Sequence, residues 1–471
     1  MRRRTLVAGL LVLGVGVALT LRLHARPEHG DGEDQVCRDT SDHHDHNLRT
    51  PLKLIGVVPV PGNPIVSADI AWVDPGTERY YLADRSNSGV DIINVETGFY
   101  EARVGGMVGV VGPQDGTTNN NSSGPNGVLV TANRRLWAGD GNSTLRVADV
   151  DPDSVNYLSI LHSINTSVTD PSSPSFCDNG TANGHWCGRA DELGYDPKDH
   201  VILIANNAPF SPTHVDPILC PTGPHNHCPV EPYATLVAAN PPYAILKVVS
   251  FANAGGLEQP VWDPGLGRFW VTVPGVAPTG SPRIARIDPK TKAIDKTITI
   301  NCTAPPPAGL GLPTNNASTT GIALAPFQHL LVAACGFPVD VNAISGNAKL
   351  ITTQVGGGDE VWYNSGDGRF YVTGLNTSNV QQLGVIDAQH DTLLQTIPVA
   401  TGPAPGTLTR GRNPSAFSES NRVFVDTPVT AAIVAGTKPD DSLCTKFGVI
   451  GRGCIAVFAH TGEERDEEDD H

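Results

Sequence analysis

The stretch LEQPVWDPGLGRFWV, residues 257–271, decides the fold. A carboxylate, Glu258, opens an apolar run that ends at Trp262. The turn dipeptide Asp263-Pro264 follows, then a second run, Phe269-Trp270-Val271. Short apolar runs bounded by turn formers read as strands, and the Asp-Pro-Gly between them as a tight turn. Six other stretches have the same form: ADIAWVDPGTERYYLAD from Ala68, PNGVLVTANRRLWAGD from Pro125, ADELGYDPKDHVILIAN from Ala190, TTGIALAPFQHLLVAA from Thr319, GDEVWYNSGDGRFYVTG from Gly358 and RNPSAFSESNRVFVDT from Arg412. Most are followed by a third strand, a turn and a fourth. RIARIDPKTKAIDKTITI (283–300) and QLGVIDAQHDTLLQTIPV (382–399) show this most plainly.

Seven four-stranded units at intervals of roughly 40 to 67 residues predict an all-β, seven-bladed β-propeller. A single unit cannot bury both faces of its sheet, so stacking around an axis supplies the core. Fifty Gly and 39 Pro leave little room for long helices, and no sustained helical spacing of apolar residues occurs. A sandwich or two smaller β domains is the competing architecture, and seven alignable copies argue against it. The last unit lacks an outer strand, because GCIAVFAHTGE leads straight into an acidic tail. The segment PLKLIGVVPVPG (51–62) precedes the first unit without a partner there. It is expected to pair onto the last blade and close the ring, so the propeller spans 51–460.

The two ends read differently. Arg2, Arg3 and Arg4 precede TLVAGLLVLGVGVALTL, so residues 1–25 are expected to be a signal peptide or an uncleaved membrane anchor, and the body secreted or otherwise extracytoplasmic. Residues 26–50 form a polar, His-rich linker in which His43, His44 and His46 cluster, and 461–471 an acidic, solvated tail. Eight of the nine cysteines fall into local pairs, Cys177/Cys187, Cys220/Cys228, Cys302/Cys335 and Cys444/Cys454, with Cys37 left over. That spacing suits loop-stapling disulfides; zinc is the other reading, and no CxxC spacing supports it. A formal charge of −16 without a basic stripe argues against nucleic-acid binding.

In a four-stranded blade the links between blades and from second to third strand emerge on one face, here called the top. The long segments 104–124, 167–189, 207–232, 301–318, 402–412 and 428–452 fall there, and the opposite turns are short. Long stapled loops on a rigid scaffold are where binding residues sit. Aligning the seven inner strands turns the position of Glu258 into a column: Asp69, Asn126, Asp191, Glu258, Thr320, Asp359 and Asn413. The next position adds Glu192, Gln259 and Glu360. This column should ring the top mouth of the central channel. Converging carboxylates recruit a cation or raise one another's pKa. Oxygen donors would make that cation Ca²⁺ or Mg²⁺ rather than Zn²⁺, with Asp69, Asn126, Asp191, Glu258 and Asp359 as metal ligands. The loop histidines His185, His214, His225 and His227 would be needed for zinc. Equally, acids and amides opening an inner strand can accept hydrogen bonds from the next blade and stitch the ring together.

Two resemblances rest on these residues. RFYVTGLN with LGVIDAQHDTLLQTIPV resembles the YVTN-type repeat of extracytoplasmic seven-bladed propellers, over roughly residues 51–460, which implies fold and export. EQPVWDPGLGRFWV and GPNGVLVTANRRLWAGDGNSTLRV are similar to the EGPVW and PNG blades of the SMP-30/gluconolactonase family. That likeness implies a channel metal held by Glu258 and Asn126, with Asp191 or Asp359 as a further ligand or the catalytic base. Gln259 stands where that family has Gly, and that family has six blades.

Two functions follow. One is an exported binding or scaffold protein presenting its stapled top face to a small molecule, glycan or protein partner, touching a membrane only through an uncleaved N-terminal anchor. The other is a divalent-metal-dependent lactonase or esterase-type hydrolase with Asp191 or Asp359 as base. GxSxG, HExxH, P-loop and Rossmann signatures are absent in plausible contexts, as is the CxxCH of a haem site.

Overall fold

The computed structural model describes residues 51–111, 123–141, 143–170, 172–176, 189–207, 231–275, 281–302, 319–356, 358–376, 380–400 and 413–460. These form seven four-stranded antiparallel sheets, each a blade. The innermost strands, in order, are Ala71–Asp74, Val128–Thr131, Arg189–Asp196, Pro260–Asp263, Ile322–Ala325, Val361–Asn364 and Pro414–Phe417. Six blades are built from consecutive strands. The seventh takes its outer strand from the other end of the chain: Leu52–Val58 pairs antiparallel with Cys454–His460, and Leu52 lies opposite His460. The predicted seven blades and ring closure are both present.

The core explains why the ring must close. Seven buried apolar clusters lie one between each pair of neighbouring blades. Second strands feed two clusters at once, because successive side chains point to opposite faces. In Arg79–Asp84, Tyr80 and Leu82 join the cluster shared with the seventh blade, whereas Tyr81 joins the one shared with the second. In Val201–Asn207, Ile202 and Ile204 face the second blade, and Leu203 and Ala205 the fourth. This is why the strands read as near-continuous apolar runs rather than as an alternation.

The short turns repeat in detail. In all seven blades the residue just before the second strand has positive φ: Glu78, Arg134, His200, Gly267, His329, Gly368 and Asn421. Several of these turns open on an acid or amide whose side chain accepts a turn amide, as in Thr77 N–H to Asp74 at 2.8 Å and Leu266 N–H to Asp263 at 3.0 Å. Such side-chain acceptors mimic a backbone turn.

Two of the expected disulfides, Cys302–Cys335 and Cys444–Cys454, are formed. Residues 177, 187, 220 and 228 lie outside the described residues, as do 1–50, 461–471 and the histidines at 185, 214, 225 and 227. Of the long top segments, 428–452 is described almost as one piece. It carries a short helix, Ala431–Val434, and a 3-10 turn, Leu443–Phe447.

Closure is tightened by Gln395 of the sixth blade, which accepts the Leu52 N–H at 2.9 Å and donates to the Leu52 carbonyl at 3.0 Å. Leu52 is buried in the cluster between blades six and seven. Leu52→Ala is therefore expected to cost about 2–4 kcal/mol in chemical denaturation. Lys53→Ala, on the exposed side of the same strand, should stay within about 0.5 kcal/mol. Equal effects of the two would show that the strand does not clamp the ring.

Candidate functional site

Each column residue sits at the top end of its inner strand. Asp69, Asn126, Glu258, Thr320 and Asp359 lie two residues before the strand, and Asp191 lies inside the longer Arg189–Asp196. Asn413 lies one residue before its strand, so register sets it level with Gln259 and Glu360 rather than in the column, because the seventh copy aligns one residue out of step. Four of the column's backbone N–H groups donate to the second strand of their own blade. Asp69 reaches Ala83 at 2.8 Å, Asn126 Gly139 at 2.7 Å, Glu258 Thr272 at 3.1 Å and Thr320 Ala334 at 2.9 Å. The backbone is thus fixed before any side chain is considered.

Side chains then tie blade to blade. Asn126 donates to the Ala190 carbonyl of the third blade at 2.8 Å, and Asn413 to the Asp69 carbonyl of the first at 2.7 Å. Asn207 of the third blade accepts the Leu257 N–H of the fourth at 2.6 Å. Gln259 accepts the N–H groups of Ile322 (2.7 Å) and Val361 (3.1 Å) and donates to the Val361 carbonyl at 3.2 Å, so one side chain links the fourth, fifth and sixth blades. Thr272 donates to the Thr320 carbonyl, and Thr320 in turn to that of Gly358. Glu360 accepts the Ala71 N–H of the first blade at 3.2 Å. Backbone approach is close here as well: a Cβ on Gly127 or Gly139 would lie 2.3 Å from the Asp191 carbonyl oxygen.

Two arginines absent from the column complete the mouth. Arg85, buried just after the second strand of the first blade, is ion-paired with Asp69. It also donates to the Asn126 side-chain oxygen at 3.0 Å from Nε and 2.7 Å from Nη2. Arg189 grips Asp191 through Nε at 2.8 Å and Nη2 at 2.6 Å, and Asn207 donates to the same carboxylate oxygen at 2.6 Å. Alignment overlooks both arginines because neither recurs. Their only signal is a charge beside a repeat copy, at DRSN (84–87) and GRADE (188–192).

Carboxylates still outnumber these cations. Burial pushes the Asp69 carboxyl up to about 6; Arg85 offsets part of this, and Asp191 and Asp359 add to it. Glu192, Glu258 and Glu360 are pushed well above the usual carboxylate range, first by burial. Glu192 and Glu258 then feel repulsion from Asp191, and Glu360 from Asp426 and Asp359. Glu192 and Glu258 make no side-chain hydrogen bond or ion pair with a described residue, and the Glu192 Oε2 is a buried oxygen without a donor.

The structure thus brings Asp69, Asn126, Asp191, Glu258 and Asp359 to one mouth, but supplies its positive charge from arginine. The Asn126 oxygen and one oxygen each of Asp69 and Asp191 are already engaged by guanidinium groups. Among the described residues no group of three or more His, Cys, Asp and Glu has the spacing to hold a metal ion. Arg85 and Arg189 therefore compete with any cation for three of the oxygens.

No protein-family model matches the chain, and no curated protein does. Solved structures match at the level of fold. One chain, from a crystal structure of the mitotic checkpoint complex, has a TM-score of 0.52 at 11% identity, covering 87% of this chain and 93% of its own length. The Cps50 (Swd1) β-propeller domain of Myceliophteria thermophila has a TM-score of 0.50 at 9% identity, covering 87% and 100%.

Removing one partner of a buried pair strands the other. Arg85→Met is therefore expected to destabilise by about 3–5 kcal/mol. Glu192→Gln, which replaces a buried carboxyl without a hydrogen-bond partner among the described residues, should be neutral or stabilising by about 1 kcal/mol near neutral pH. Denaturant midpoints distinguish the two.

The raised carboxyls also set a pH dependence. Unfolded, Asp69 releases its proton near 4; folded, near 6. In that window the folded protein holds the extra proton, so stability falls as pH rises through it. The glutamates extend the fall to higher pH. Melting temperature against pH should decline through this range and be flatter in Glu192→Gln. Parallel curves would sink the assignment.

Proposed function

We propose that the chain is an exported β-propeller binding protein that offers its top face to a small molecule, a glycan or a protein partner. The observation that carries this reading is the mouth itself. Its amides are taken up by neighbouring blades, Asp69 and Asp191 by two buried arginines, and Glu360 by the first blade. That makes the mouth a rigid rim.

The described top segment supports the same reading. Residues 428–453 are held by the Cys444–Cys454 disulfide, by Gly451 N–H donating to Asp440 at 2.7 Å, and by Ile65, which accepts from Val429 at 2.8 Å and donates to Arg452 at 2.7 Å. Val434, Phe447 and Ile450 are exposed on this ordered excursion. Large apolar side chains on an ordered surface segment favour partner binding. The two disulfides among the described residues lie at the top of the ring, and disulfides favour an oxidising compartment.

The rival reading, a metal-dependent lactonase or esterase, draws on Glu258. Its carboxyl stands outside the ring of hydrogen bonds, close enough to Asp191 and Asp359 to feel their charge.

Elemental analysis of protein lacking residues 1–50, purified without a His tag, separates the two. The binding reading expects no stoichiometric Ca, Mg, Mn or Zn and no turnover in a lactone and ester screen. One equivalent of metal together with turnover, both lost in Glu258→Gln, would overturn it.

A further inference from the structure

Among the described residues, the channel mouth holds more carboxyl groups than hydrogen-bonded or ion-paired partners. Asp69 is paired with Arg85, Asp191 with Arg189, and Glu360 accepts the Ala71 N–H. Glu192 and Glu258 make no side-chain hydrogen bond or ion pair with a described residue, although Glu258 feels the charge of Arg189, and Glu192 is only 3% exposed.

The bulge between Ala190 and Leu193 recurs at the same position in the first, second, fourth and fifth blades, where the two residues opening the inner strand share Ala83, Gly139, Thr272 and Ala334 respectively as their backbone partner. The backbone thus aims Glu192 as it aims Gln259. Glu192 therefore faces the axis, where the carboxyls acting on it come from its own blade and from the fourth and sixth: Asp191, Glu258, Asp359 and Glu360. Gln259 and Glu360, at the equivalent position, bind the N–H of the first residue of another inner strand: Ile322 and Val361 for Gln259, Ala71 for Glu360. The blade next to Glu192 begins its inner strand with Pro260, which has no N–H to give. Pro260 lies directly beside the third blade, since a Cβ on Gly194 would meet its Cβ at 3.4 Å.

Below this level the channel turns aromatic. Trp72 and Trp362, each three residues beyond its column position, meet edge to face at 5.3 Å although they come from the first and sixth blades. Trp72 also packs against the clusters flanking the second blade, and Trp362 against those flanking the seventh. The pair therefore reaches across the axis about 10 Å below the carboxyls, taking ~3.3 Å per residue. Carboxylate walls above an aromatic floor suit an organic cation: the charged head pairs with the acids, and the alkyl body and residual charge meet the ring faces. A divalent metal gains nothing from the tryptophans.

We propose that the mouth of the channel binds one small alkylammonium ion, with Glu258 and Glu192 as its anchoring carboxylates and the Trp72–Trp362 pair as its floor. This rests on the binding-protein reading and assigns that protein a ligand class.

The test is calorimetric titration of the protein as isolated, at mildly alkaline pH and fixed ionic strength, with n-butylammonium. 1-Butanol serves as the neutral control, sodium as the bare-cation control, and Nα-acetyl-lysine amide as the ammonium carried on a peptide. The expected result is saturable binding of one n-butylammonium per chain, with no response to 1-butanol or sodium. Glu258→Gln and Glu192→Gln should each weaken binding roughly tenfold or more, the loss of one charge-assisted contact, while the melting temperature holds or rises. Tighter binding of the acetyl-lysine amide than of n-butylammonium would assign the ammonium to a partner's lysine and keep the site. No saturable binding, equal binding of 1-butanol, or binding unchanged in both variants would overturn the proposal. Those outcomes leave the metal and turnover measurements untouched, so failure here is distinct from failure of the binding-protein reading.

Discussion

Every blade of this protein is apolar on both faces, and that constraint governs the rest of the structure. A two-sided sheet has no stable exposed arrangement in water, so each blade needs a neighbour on either side. Seven clusters, each shared by two blades, satisfy this only if the first blade also meets the last. The strand Leu52–Val58 is how that meeting is secured, because it removes the open edge of the seventh sheet.

Closing the ring creates a second problem at its axis. Chain segments arrive there with strand-opening amides, such as those of Ala71, Ile322 and Val361, that no sheet ladder reaches. Unpaired, each buried group would cost about 1–3 kcal/mol. The Asn, Gln and Thr side chains of the column answer that need one blade at a time, as Gln259 does for Ile322 and Val361. Acids are less suited to the task, since they accept but cannot donate, and each brings a charge into a poorly solvated place. Arg85 and Arg189 offset two of those charges.

The fold was legible because it is periodic. Seven copies of strand, turn and strand carry the same apolar pattern, and the short turns even share a positive-φ residue, from Glu78 to Asn421. The column was legible for the same reason, and its convergence follows from register alone. What lay beyond reading was the non-repeating part. Arg85 and Arg189 each occur once, so aligning copies hides them, yet they decide whether Asp69, Asn126 and Asp191 have oxygens to spare. Edge-to-face contact between Trp72 and Trp362 skips a blade, which no comparison of adjacent units suggests.

The pairing of Leu52 with His460 has a consequence for the order of events during synthesis. The two residues are separated by almost the whole described chain, so the contact that completes the ring is also the most distant one in sequence. Loop closure over such a span is slow compared with formation of any single blade from consecutive strands. A ribosome therefore releases six complete sheets before the seventh can acquire its last strand. Until then the outer faces of the first and last blades are bare, an interval in which two half-finished rings can adhere to each other. Its length, rather than the strength of any one blade, sets how much the nascent chain depends on being shielded.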